Sequence, residues 1–588
     1  MAPQKRVNDA VHYYMGDLSS RIVAKSGYPT DRYHLGKLVL QGLKDDPDFL
    51  LQIDGSTGES ETSGSVLERS VRFAMSLRKL GIKRGEVMVL LAPNHLDITI
   101  ALYAALYLGI VVNAIAPDTP AADIQPLLAI SKPSVIMCQS DAASKAQLAT
   151  MNLNLNPHII TFDKGDFCNY IDFMEMYKDD TPIEDFNFFE HQNSIAVSML
   201  VSEARCLLMK TDNAVVSYLV LLVYMGDIRC ADFDPEQTVA FVVNTSGTTG
   251  LPKAIAHSHK YFAILLPHIW SKYTKFPTPT KLALIGSPLQ WSTAITSFIR
   301  SAILRYTRLQ SSQKLSPELM SDLINKYKPT YSLFSPTLMT SLLNLNKTDF
   351  TCFEEIVLCG LPVSQSLIKE VKTLTPNTEV INMFGMSELA GLGFLGDNPA
   401  PGSCGKQMGC FQYRLIDVDT QQDINEPNVA GELWIKGPAP FLGCFNDVEC
   451  TKELLTHDGW LKTGDVFYYD DNWNYYFVER IKLQIKCCYF RMSPLEIEGV
   501  IRRHPGVMDV AVTSIPHSEW GDLPVACVVP KPGAKPSAEE IKNLVKDTLQ
   551  DAKTLRGGVI FMDSMPMTST TKVHRRLLRQ LALELPRA

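Results

Sequence analysis

The sequence lacks a surplus of basic residues. Lysine and arginine total 56, and aspartate and glutamate total 63, among 588 residues, which gives a formal net charge of −7. Nucleic-acid-binding proteins usually carry a clustered basic surplus. The charge balance therefore predicts a protein without a nucleic-acid partner. Hydrophobic residues make up 46% and charged residues 20%, as in folded globular proteins rather than in disordered chains.

A cysteine framework is also missing. The 13 cysteines are scattered, and no pair has the Cys-x-x-Cys spacing of zinc ribbons and thioredoxin-like sites. The sequence therefore predicts free thiols and a reducing compartment, which favours a cytoplasmic location. His257, His259, His457 and His504 are too dispersed to indicate a metal site, and we expect satisfied core or surface histidines.

No apolar run is long enough to indicate a membrane span. The stretch 98–116 is interrupted by Gly109 and Asn113, and the stretch 214–225 is shorter than the about 20 residues that a span requires. We therefore predict no transmembrane segment and interpret 98–116 as a buried helix followed by a buried strand. The first residues are polar, and the last are not a Ser-Lys-Leu peroxisomal signal.

Short apolar runs alternate with helical patterns over most of the chain. Strands are predicted at 87–92, 134–138 and 158–162, and the alternation returns over 280–385. Strands that alternate with helices indicate βαβ units. We therefore predict a large α/β N-terminal domain with mixed sheets over residues 1–479.

The pattern changes after residue 480. Ser493 is a candidate N-cap, with Pro494 at the first helical position and Glu496 at the third, and two strands and another helix follow. This pattern predicts a small α+β C-terminal domain over residues 480–588. The predicted boundary lies at 479–482.

Residues 195–225 do not fit the alternation. They show neither helical nor strand periodicity and end in an apolar run, although surface insertions are normally polar. We interpret the segment as an insertion or as a retained intron. Transcripts that consistently read through it would exclude the intron.

The strongest motif follows an apolar strand and reads Thr245-Ser246-Gly247-Thr248-Thr249-Gly250-Leu251-Pro252-Lys253. Glycine lets a backbone approach a ligand closely, hydroxyl and backbone N–H groups can surround phosphate oxygens, and Lys253 adds a positive charge. It is not a Walker A loop, because Leu-Pro separates Gly250 from Lys253. The motif predicts a phosphate-binding loop, and a plain Ser/Thr/Gly turn is the alternative.

At this motif the sequence resembles the adenylate-forming superfamily of acyl- and aryl-CoA synthetases, peptide-synthetase adenylation domains and beetle luciferases. The resemblance spans nearly the whole chain. Within the superfamily, the sequence as a whole most resembles insect luciferase-like fatty acyl-CoA synthetases. The further matching motifs, in order, are Phe384-Gly385-Met386-Ser387-Glu388, Thr463-Gly464-Asp465, Arg480-Ile481-Lys482 with Lys486, and Pro566 with Thr571-Lys572-Val573-His574-Arg575-Arg576. The resemblance implies an AMP-binding domain joined by a hinge to a mobile lid domain.

The resemblance also implies a reaction in two halves. A carboxylic acid of the fatty type attacks ATP to give an acyl-adenylate and pyrophosphate, and the coenzyme A thiol then takes the acyl group. Such an AMP-forming acid–thiol ligase requires ATP, Mg²⁺ and coenzyme A. The family leaves the peroxisome as an alternative location, and the sequence carries no signal for an oligomeric state.

Roles for single residues follow from the matching motifs. The implied nucleotide contacts are the phosphate loop (Thr245, Ser246, Gly247, Thr248, Thr249, Gly250 and Lys253), Gly360, Leu361, Phe384, Gly385, Ser387, Asp465 and Arg480. Asp465 can accept both ribose hydroxyl groups, and Ser387 can offer a hydroxyl to the α-phosphate.

The remaining implied roles are catalytic. Glu388 and Thr249 are the implied magnesium ligands, because hard oxygen donors suit that ion. Lys572, Lys486 and Glu388 are the implied catalytic residues, and Lys482 is the implied hinge. Lys572 can neutralise developing charge only if its domain closes.

The chain departs from the family pattern in several places. Gln290 and Trp291 occupy the region where many relatives carry an acyl-site histidine, and we interpret both as acyl-site residues. Tyr489 replaces a glycine that lines the coenzyme A path, Thr571 replaces the glycine before Lys572, and Ala254 replaces a glycine after the phosphate loop. Candidate lining residues of an apolar tunnel, with core packing as the alternative for each, are Trp291, Phe298, Phe384, Met386 and Leu392.

These departures keep two further functions open. One is a nucleotide-binding pseudoenzyme, and the other is an adenylate-forming or luciferase-like enzyme that does not complete thioesterification. A dinucleotide site is excluded, although residues 391–396 spell Gly-x-Gly-x-x-Gly. A Rossmann fingerprint opens a helix, and the proline-rich stretch that follows breaks one.

Overall fold

The structure is a computed structural model. It describes residues 10–176, 230–245, 253–269, 281–391, 393–394, 400–439, 441–487, 490–549, 551–567 and 572–588. The proposed insertion at 195–225, Tyr489, Thr571 and Leu392 lie outside the described residues.

The chain forms two compact units. The first comprises Met1–Asp397, Met408–Gln412 and Lys436–Leu461, and the second comprises Asn398–Gln407, Tyr413–Ile435 and Lys462–Ala588. The second unit therefore contains chain that precedes the boundary predicted at 479–482. That boundary, and the hinge at Lys482, stay predictions.

Both units contain helices. Those of the first unit are α1 (Ala10–Ser26), α2 (Leu35–Asp45), α3 (Ser63–Lys79), α4 (Asp97–Leu108), α5 (Ala121–Ser131), α6 (Ser140–Asn152), α7 (Tyr170–Met176), α8 (His259–Leu265), α9 (Ser292–Leu304), α10 (Pro317–Tyr327), α11 (Pro336–Asn344), α12 (Gln365–Leu374) and α13 (Val448–Leu454). Those of the second unit are α14 (Pro494–Ile501), α15 (Ala538–Thr548) and α16 (Arg575–Glu584). Short 3-10 turns lie at Pro29–Tyr33, Leu266–Ile269, Phe350–Cys352, Ser387–Leu389, Ile481–Leu483 and Asp551–Lys553.

The strands of the described residues fall into four sheets. The first unit contains β1 (Leu50–Asp54), β2 (Ser60–Thr62), β3 (Val87–Leu91), β4 (Val111–Ala114), β5 (Val135–Cys138), β6 (His158–Thr161), β7 (Cys168–Asn169), β8 (Val239–Thr245), β9 (Lys253–Ser258), β10 (Leu282–Leu284), β11 (Thr307–Gln310), β12 (Tyr331–Phe334), β13 (Glu355–Cys359) and β14 (Glu379–Met383). The second unit contains the remaining strands, of which a few end residues belong to the first unit. These strands are β15 (Gln412–Ile416), β16 (Asp423–Ile424), β17 (Gly431–Lys436), β18 (Leu461–Tyr469), β19 (Tyr475–Arg480), β20 (Ile485–Cys487), β21 (Phe490–Met492), β22 (Val507–His517), β23 (Gly521–Pro530) and β24 (Gly558–Phe561).

The first unit is built on two seven-stranded sheets. Sheet A has the order β14-β13-β12-β10-β11-β1-β2, and sheet B has the order β7-β6-β5-β3-β4-β8-β9. In each sheet the first six strands are parallel and the last strand is an antiparallel edge. Continuous apolar runs suit such parallel strands, since helices cover both faces.

Local sequence explains why helices start where the parallel strands of sheet A end. Ser316, Ser335 and Ser364 each precede a helix and accept a hydrogen bond from the backbone N–H three residues on. Such caps satisfy an otherwise unpaired donor, and an Ala replacement costs about 1 kcal/mol. The βαβ alternation predicted over 280–385 is confirmed.

The second unit contains two smaller sheets. One has the order β16-β15-β17-β18-β19, and the other has β21-β20-β23-β22 with β24 parallel to β23. Helices α14, α15 and α16 pack their apolar residues, such as Ile501, Val545 and Leu578, into the core of the second sheet. The predicted fold class, a large α/β part with mixed sheets and a smaller α+β part, is confirmed.

Ser493 is the N-cap residue of α14, as predicted, with Pro494 at the first helical position. Its hydroxyl, however, donates to Glu479 Oε2 at 2.8 Å and makes no capping bond to the helix. Glu496 pairs with Lys553 instead, at 2.6 Å. A capping box does form at α15, between Ser537 and Glu540.

The expectation of free thiols is wrong at two positions. Cys444 and Cys450 form a disulfide with a Cα–Cα distance of 5.9 Å. They lie six residues apart in the sequence, on either side of the start of α13. The chain turns at Asp447, the N-cap residue of α13, and this turn brings the two cysteines together. The other nine described cysteines are free thiols.

Candidate active site

The phosphate loop joins two antiparallel strands. Thr245 and Lys253 are register partners at the loop end of the β8–β9 hairpin, on either side of the connection between the two antiparallel strands. The loop residues Ser246, Gly247, Thr248, Thr249 and Gly250 lie outside the described residues. Ala254 is a buried strand residue paired with Asn244, so the alanine there introduces no strain.

Lys253 is held at the base of this loop. Its ammonium lies 3.4 Å from Glu453 on α13, and its side chain is only 18% exposed. The segment before α13 is fastened to β9, because Ala256 N–H donates to the Gly443 carbonyl at 3.0 Å and Phe445 N–H to the Ala254 carbonyl at 2.6 Å. The disulfide thus staples a loop that packs on the strand carrying Lys253.

The motif at Phe384–Glu388 forms a tight loop after β14. Gly385 has no room for a side chain, because an added Cβ would overlap the carbonyl oxygen of Gly391. Gly393 N–H donates to the Phe384 carbonyl at 3.0 Å, and Ser387 opens a 3-10 turn. The loop holds Ser387 and Glu388 half-buried at the surface of the first unit.

A buried histidine connects this loop to sheet B. His257 on β9 lies with Nε2 at 2.8 Å from the Ser387 carbonyl oxygen, so the ring donates to it. Burial lowers the pKa of His257 to about 4, and the imidazole is neutral near pH 7. The sequence alone does not predict this positioning contact, because its only signal is a histidine four residues after Lys253.

The carboxyl edge of sheet A collects several predicted residues. Gly360 follows β13 with a φ of +88°, which favours glycine, and Leu361 comes next. Strand β13 pairs in parallel with β14, so Gly360 and Phe384 emerge at the same edge. Ligands of open α/β sheets usually bind at this edge.

Gln290 and Trp291 emerge at that edge as well. They follow β10 and are half-buried, and Trp291 is the N-cap residue of α9. A Cβ added to Gly391 would lie 3.5 Å from the Ser292 hydroxyl, so the start of α9 packs beside the Ser387 loop. The structure therefore brings together three segments that the sequence separates, at 290–291, 360–361 and 384–388.

Two of the predicted tunnel residues are core residues in this structure. Phe298 is fully buried beneath the Arg308 guanidinium, whose Cζ lies 4.0 Å from the ring centroid. Met386 is also buried, whereas Trp291 and Phe384 are half-buried.

In the second unit, Asp465 and Arg480 form one ion pair. They are register partners on β18 and β19, and Arg480 Nε donates to Asp465 Oδ1 at 2.7 Å. Asp465 is 1% exposed and Arg480 is 46% exposed. The Thr463-Gly464 part of the motif positions the aspartate, since Gly464 has a φ of +69° and Thr463 Oγ1 donates to the Leu433 carbonyl at 2.7 Å.

Lys572 contributes to the same cluster. Burial raises the pKa of Asp465 above its ordinary value, and the charges of Arg480 and Lys572 oppose that rise. Lys572 is exposed and precedes Val573, which forms a β-bridge with Met567. Two cationic motif residues, Arg480 and Lys572, thus act on the buried carboxylate of Asp465.

The predicted hinge and the second catalytic lysine follow on adjoining elements. Lys482 is exposed in the 3-10 turn Ile481–Leu483, and Lys486 is exposed on β20. Glu479 anchors this region from the end of β19. It accepts hydrogen bonds from Arg480 N–H at 2.7 Å and from Ser493 Oγ, which is a link that the sequence analysis missed.

The donor set is consistent with magnesium bound through a nucleotide. The described residues contain no group of three or more His, Cys, Asp or Glu side chains that could hold a metal ion. Magnesium is usually held by one or two carboxylates together with substrate phosphates and waters. Glu388, a half-buried carboxylate, suits that mode, and Thr249 lies outside the described residues.

The fold and the order of these motifs are those of AMP-binding, adenylate-forming enzymes. The AMP-binding enzyme family matches residues 43–445, and the AMP-binding enzyme C-terminal domain matches residues 496–572. The first match covers more than half of the chain, so the chain belongs to the AMP-binding enzyme family. The resemblance found in the sequence is confirmed.

Relatives cover nearly the whole chain. Luciferin 4-monooxygenase of Photuris pensylvanica is 28% identical over 540 residues, which are 89% of this chain and 90% of that protein. Peroxisomal OPC-8:0-CoA ligase 1 of Arabidopsis thaliana is 24% identical over 540 residues, 90% of each chain. ATP-bound MatB from Rhodopseudomonas palustris has a TM-score of 0.76 at 19% identity, over 93% of this chain and 98% of that chain, and supports the fold.

In the described part of the chain, no helix is long and apolar enough to cross a membrane.

Proposed function

We propose that the protein is an ATP-dependent acid–CoA ligase that activates a carboxylic acid of the fatty type. The observation that carries the proposal is the cluster of Asp465, Arg480 and Lys572, in which two cations act on one buried carboxylate. The second cation, the exposed Lys572, suits a reaction in which negative charge develops.

In the first half-reaction, a substrate carboxylate oxygen attacks the α-phosphorus of ATP. The new bond is the acyl–O–P bond, and the bond to the pyrophosphate oxygen breaks. Asp465 would accept the ribose hydroxyl groups, Gly360 and Leu361 would flank adenine, and Ser387 would donate to the α-phosphate. These residues supply positioning, which is the main contribution that a protein makes to phosphoryl-type transfer.

Charge stabilisation is assigned to the loop residues and lysines. Lys253 would bind the departing phosphates, and Lys572 would neutralise charge on the acyl phosphate. Glu388 and Thr249 would hold magnesium, which, when bound, lowers the charge on the leaving pyrophosphate. Removal of one such group typically costs 10²–10³-fold in rate, about 3–4 kcal/mol.

In the second half-reaction, the thiolate of coenzyme A attacks the acyl carbon, and AMP leaves with the bridging oxygen. Lys486 is proposed as the catalytic residue of this step, after a movement about Lys482. Its exposed position on β20 supports a role that is not confined to the first step.

The proposal is tested by measuring AMP and acyl-CoA from Mg-ATP with a panel of acids from acetate to long-chain and aryl acids. We expect acyl-CoA with one chain-length class. The Lys572→Ala variant should lose AMP formation, whereas Lys486→Ala should lose thioester formation more than AMP formation. Absence of ATP turnover with every acid would overturn the ligase and leave the pseudoenzyme.

A second function is favoured by Tyr489, which stands where the family pattern has a glycine, and by the likeness to a luciferin 4-monooxygenase. It is adenylate formation without thioesterification. AMP or bound acyl-adenylate without acyl-CoA would support it, and a Tyr489→Gly variant that gains acyl-CoA synthesis would assign the block to that side chain.

A cytoplasmic location is part of the proposal, because nine described cysteines are free thiols, although the Cys444–Cys450 disulfide is a feature of oxidising compartments. The alternative is the peroxisome. Imaging of the full chain, labelled within a surface loop, distinguishes the two.

A further inference from the structure

A disulfide lies beside the strand that carries Lys253. Residues 443–445 run along β9, the edge strand of sheet B, because Cys444 forms an antiparallel bridge with Ile255. Two backbone hydrogen bonds, of 3.0 and 2.6 Å, flank this bridge. Ile255 is buried and forms one small apolar cluster with Cys444 and Cys450. The segment therefore extends the sheet by one short strand, at a point two residues from Lys253.

The disulfide fastens this added segment to helix α13. Cys444 is bonded to Cys450, which lies in the first turn of the helix. Thr451 provides a second link, since its hydroxyl oxygen accepts a hydrogen bond from Cys444 N–H at 2.9 Å. Three residues after Cys450, the Glu453 carboxylate lies 3.4 Å from the Lys253 ammonium. The disulfide, α13 and the added segment thus form one connected support around Lys253.

Helix α13 depends on such local links. It has seven residues, and isolated helices shorter than about 12 residues are marginal in water. Residues 446–449, which lead into the helix and form its start, are exposed. The N-cap Asp447 accepts a hydrogen bond from Cys450 N–H at 2.9 Å. Local opening of this exposed turn gives a small reductant access to the disulfide, whose cysteines are 6% and 7% exposed.

The pairing of Cys444 with Cys450 contrasts with the state of the other cysteines. The nine others in the described part of the chain are free, and Cys168 is free although it is exposed. Disulfides of proteins in reducing compartments are usually transient and catalytic or redox-sensing. The two bonded cysteines are only six residues apart, and a cross-link that closes a short loop adds less stability than one that closes a long loop. Reduction should therefore loosen α13 and its contacts without unfolding the unit.

We propose that the Cys444–Cys450 disulfide is a redox switch that controls nucleotide binding through Lys253. The proposal rests on the proposed ligase function, in which Lys253 binds phosphates, and it adds a regulation of that site. The reductant is a dithiol. One dithiol sulfur attacks a cysteine sulfur as the thiolate, and the other cysteine leaves as a thiolate. The second dithiol sulfur then displaces the first cysteine, so that the dithiol becomes a cyclic disulfide and two electrons and two protons pass to the cysteines.

The oxidised form is the one that holds Lys253 in place. With the disulfide closed, the added segment supports β9, and α13 presents Glu453 to the lysine. With the disulfide open, β9 loses part of this support, and Lys253 is held less firmly at the base of the phosphate loop. Mg-ATP should then bind more weakly, because binding has to order the lysine first.

The test measures the dissociation constant of the full chain for Mg-ATP by isothermal titration, before and after reduction with dithiothreitol. Mass spectrometry of alkylated peptides verifies the state of Cys444 and Cys450 in each sample. We expect reduction to weaken binding about fivefold to tenfold, and reoxidation to restore it. Cys450→Ser should bind Mg-ATP like the reduced protein and should not respond to dithiothreitol.

Two controls locate the effect. Cys138→Ser removes a buried free thiol of the same sheet and should keep the full response to dithiothreitol. Lys253→Ala should bind weakly in both states, with affinities within about twofold of each other, because the side chain through which the switch acts is absent. A response that persists in Cys450→Ser, or one that Lys253→Ala retains in full, would overturn the inference.

The unaltered protein separates the two levels of the argument. If Cys450→Ser does not fold, the reversible change in affinity of the unaltered protein decides, together with its loss in Lys253→Ala. Equal affinities of the oxidised and reduced forms overturn this inference alone. Absence of Mg-ATP binding in both forms overturns the proposed function as well.

Discussion

Sheets A and B have the same strand order but carry different chemistry. Each has five strands in one permuted order, β14-β13-β12-β10-β11 in one and β7-β6-β5-β3-β4 in the other, followed by an edge hairpin. The sequence shows no internal repeat. The two sheets therefore share a topology and not a sequence. Burial of apolar strands, rather than the identity of single residues, maintains that topology.

The difference lies in the segments after the strands. In sheet A, glycines and half-buried polar residues follow β13 and β14, and Gly360 and Ser387 are placed at the edge. In sheet B, the corresponding polar residue is Asp163, which follows β6. Its carboxylate already has partners within the protein, since it accepts hydrogen bonds from Ser140 N–H at 2.7 Å and from Ser140 Oγ at 2.6 Å. Sheet B contributes to the proposed site through its edge hairpin instead. Function thus depends on the loops and not on the fold.

The largest expected effect is a difference in the rate of AMP formation between variants at the carboxyl edges of the two sheets. Glu388→Ala should lower the rate of AMP formation about 10²–10³-fold, because a group aimed at the nucleotide charge is removed. Asp163→Ala, at the equivalent edge of sheet B, should leave the rate within about threefold after correction for folded protein. Steady-state AMP release measures both. Equal losses would show that the sheets do not differ in this way.

A structural difference between two glycines at this edge should come next. Gly385→Ala forces a Cβ into the Gly391 carbonyl and should destabilise the protein by about 3 kcal/mol or more. Gly360→Ala faces open space, and its positive φ alone should cost about 1 kcal/mol. Urea unfolding of the two variants gives the comparison. A smaller loss for Gly385→Ala than for Gly360→Ala would contradict the tight loop.

Stability should depend on pH through histidines of sheet B. Burial lowers the pKa of His257 and of His95 to about 4 each, against about 6.5 in the unfolded chain. The folded form binds fewer protons, so stability is complete above pH 6.5 and is lost as the pH falls towards 4, by up to roughly 3 kcal/mol per histidine.

Thermal unfolding between pH 7 and pH 4.5 measures this loss. His257→Gln, which keeps a donor for the Ser387 carbonyl but does not titrate, should flatten the dependence. A dependence that is unchanged in that variant would show that His257 does not contribute to it.

The smallest effect is expected at the ion pair beside the phosphate loop. Glu453 is 65% exposed, so Glu453→Gln should change stability by less than about 1 kcal/mol. ATP affinity should also change little, whereas Lys253→Ala should weaken it. A nucleotide-binding assay on both variants tests whether Lys253 acts on phosphate or mainly on Glu453.

Sequence patterns predicted several strands of sheet B well, because these strands are short and mainly apolar runs. Strands β3, β5 and β6 lie within the segments predicted at 87–92, 134–138 and 158–162. Ser493 is the N-cap residue of α14, but it makes no capping hydrogen bond, because Glu479, fourteen residues before it, takes its hydroxyl. Propensity at one position cannot report a competitor from another strand.

By itself, the sequence determined the family, the α/β class and the order of the motifs, since apolar periodicity and local motifs depend on neighbouring residues. Only the tertiary structure decided that Asp465 meets Arg480 across two strands and that His257 supports Ser387. Those facts depend on register and burial. A charge is costly or harmless according to what the fold places around it, and residues distant in the chain supply those surroundings.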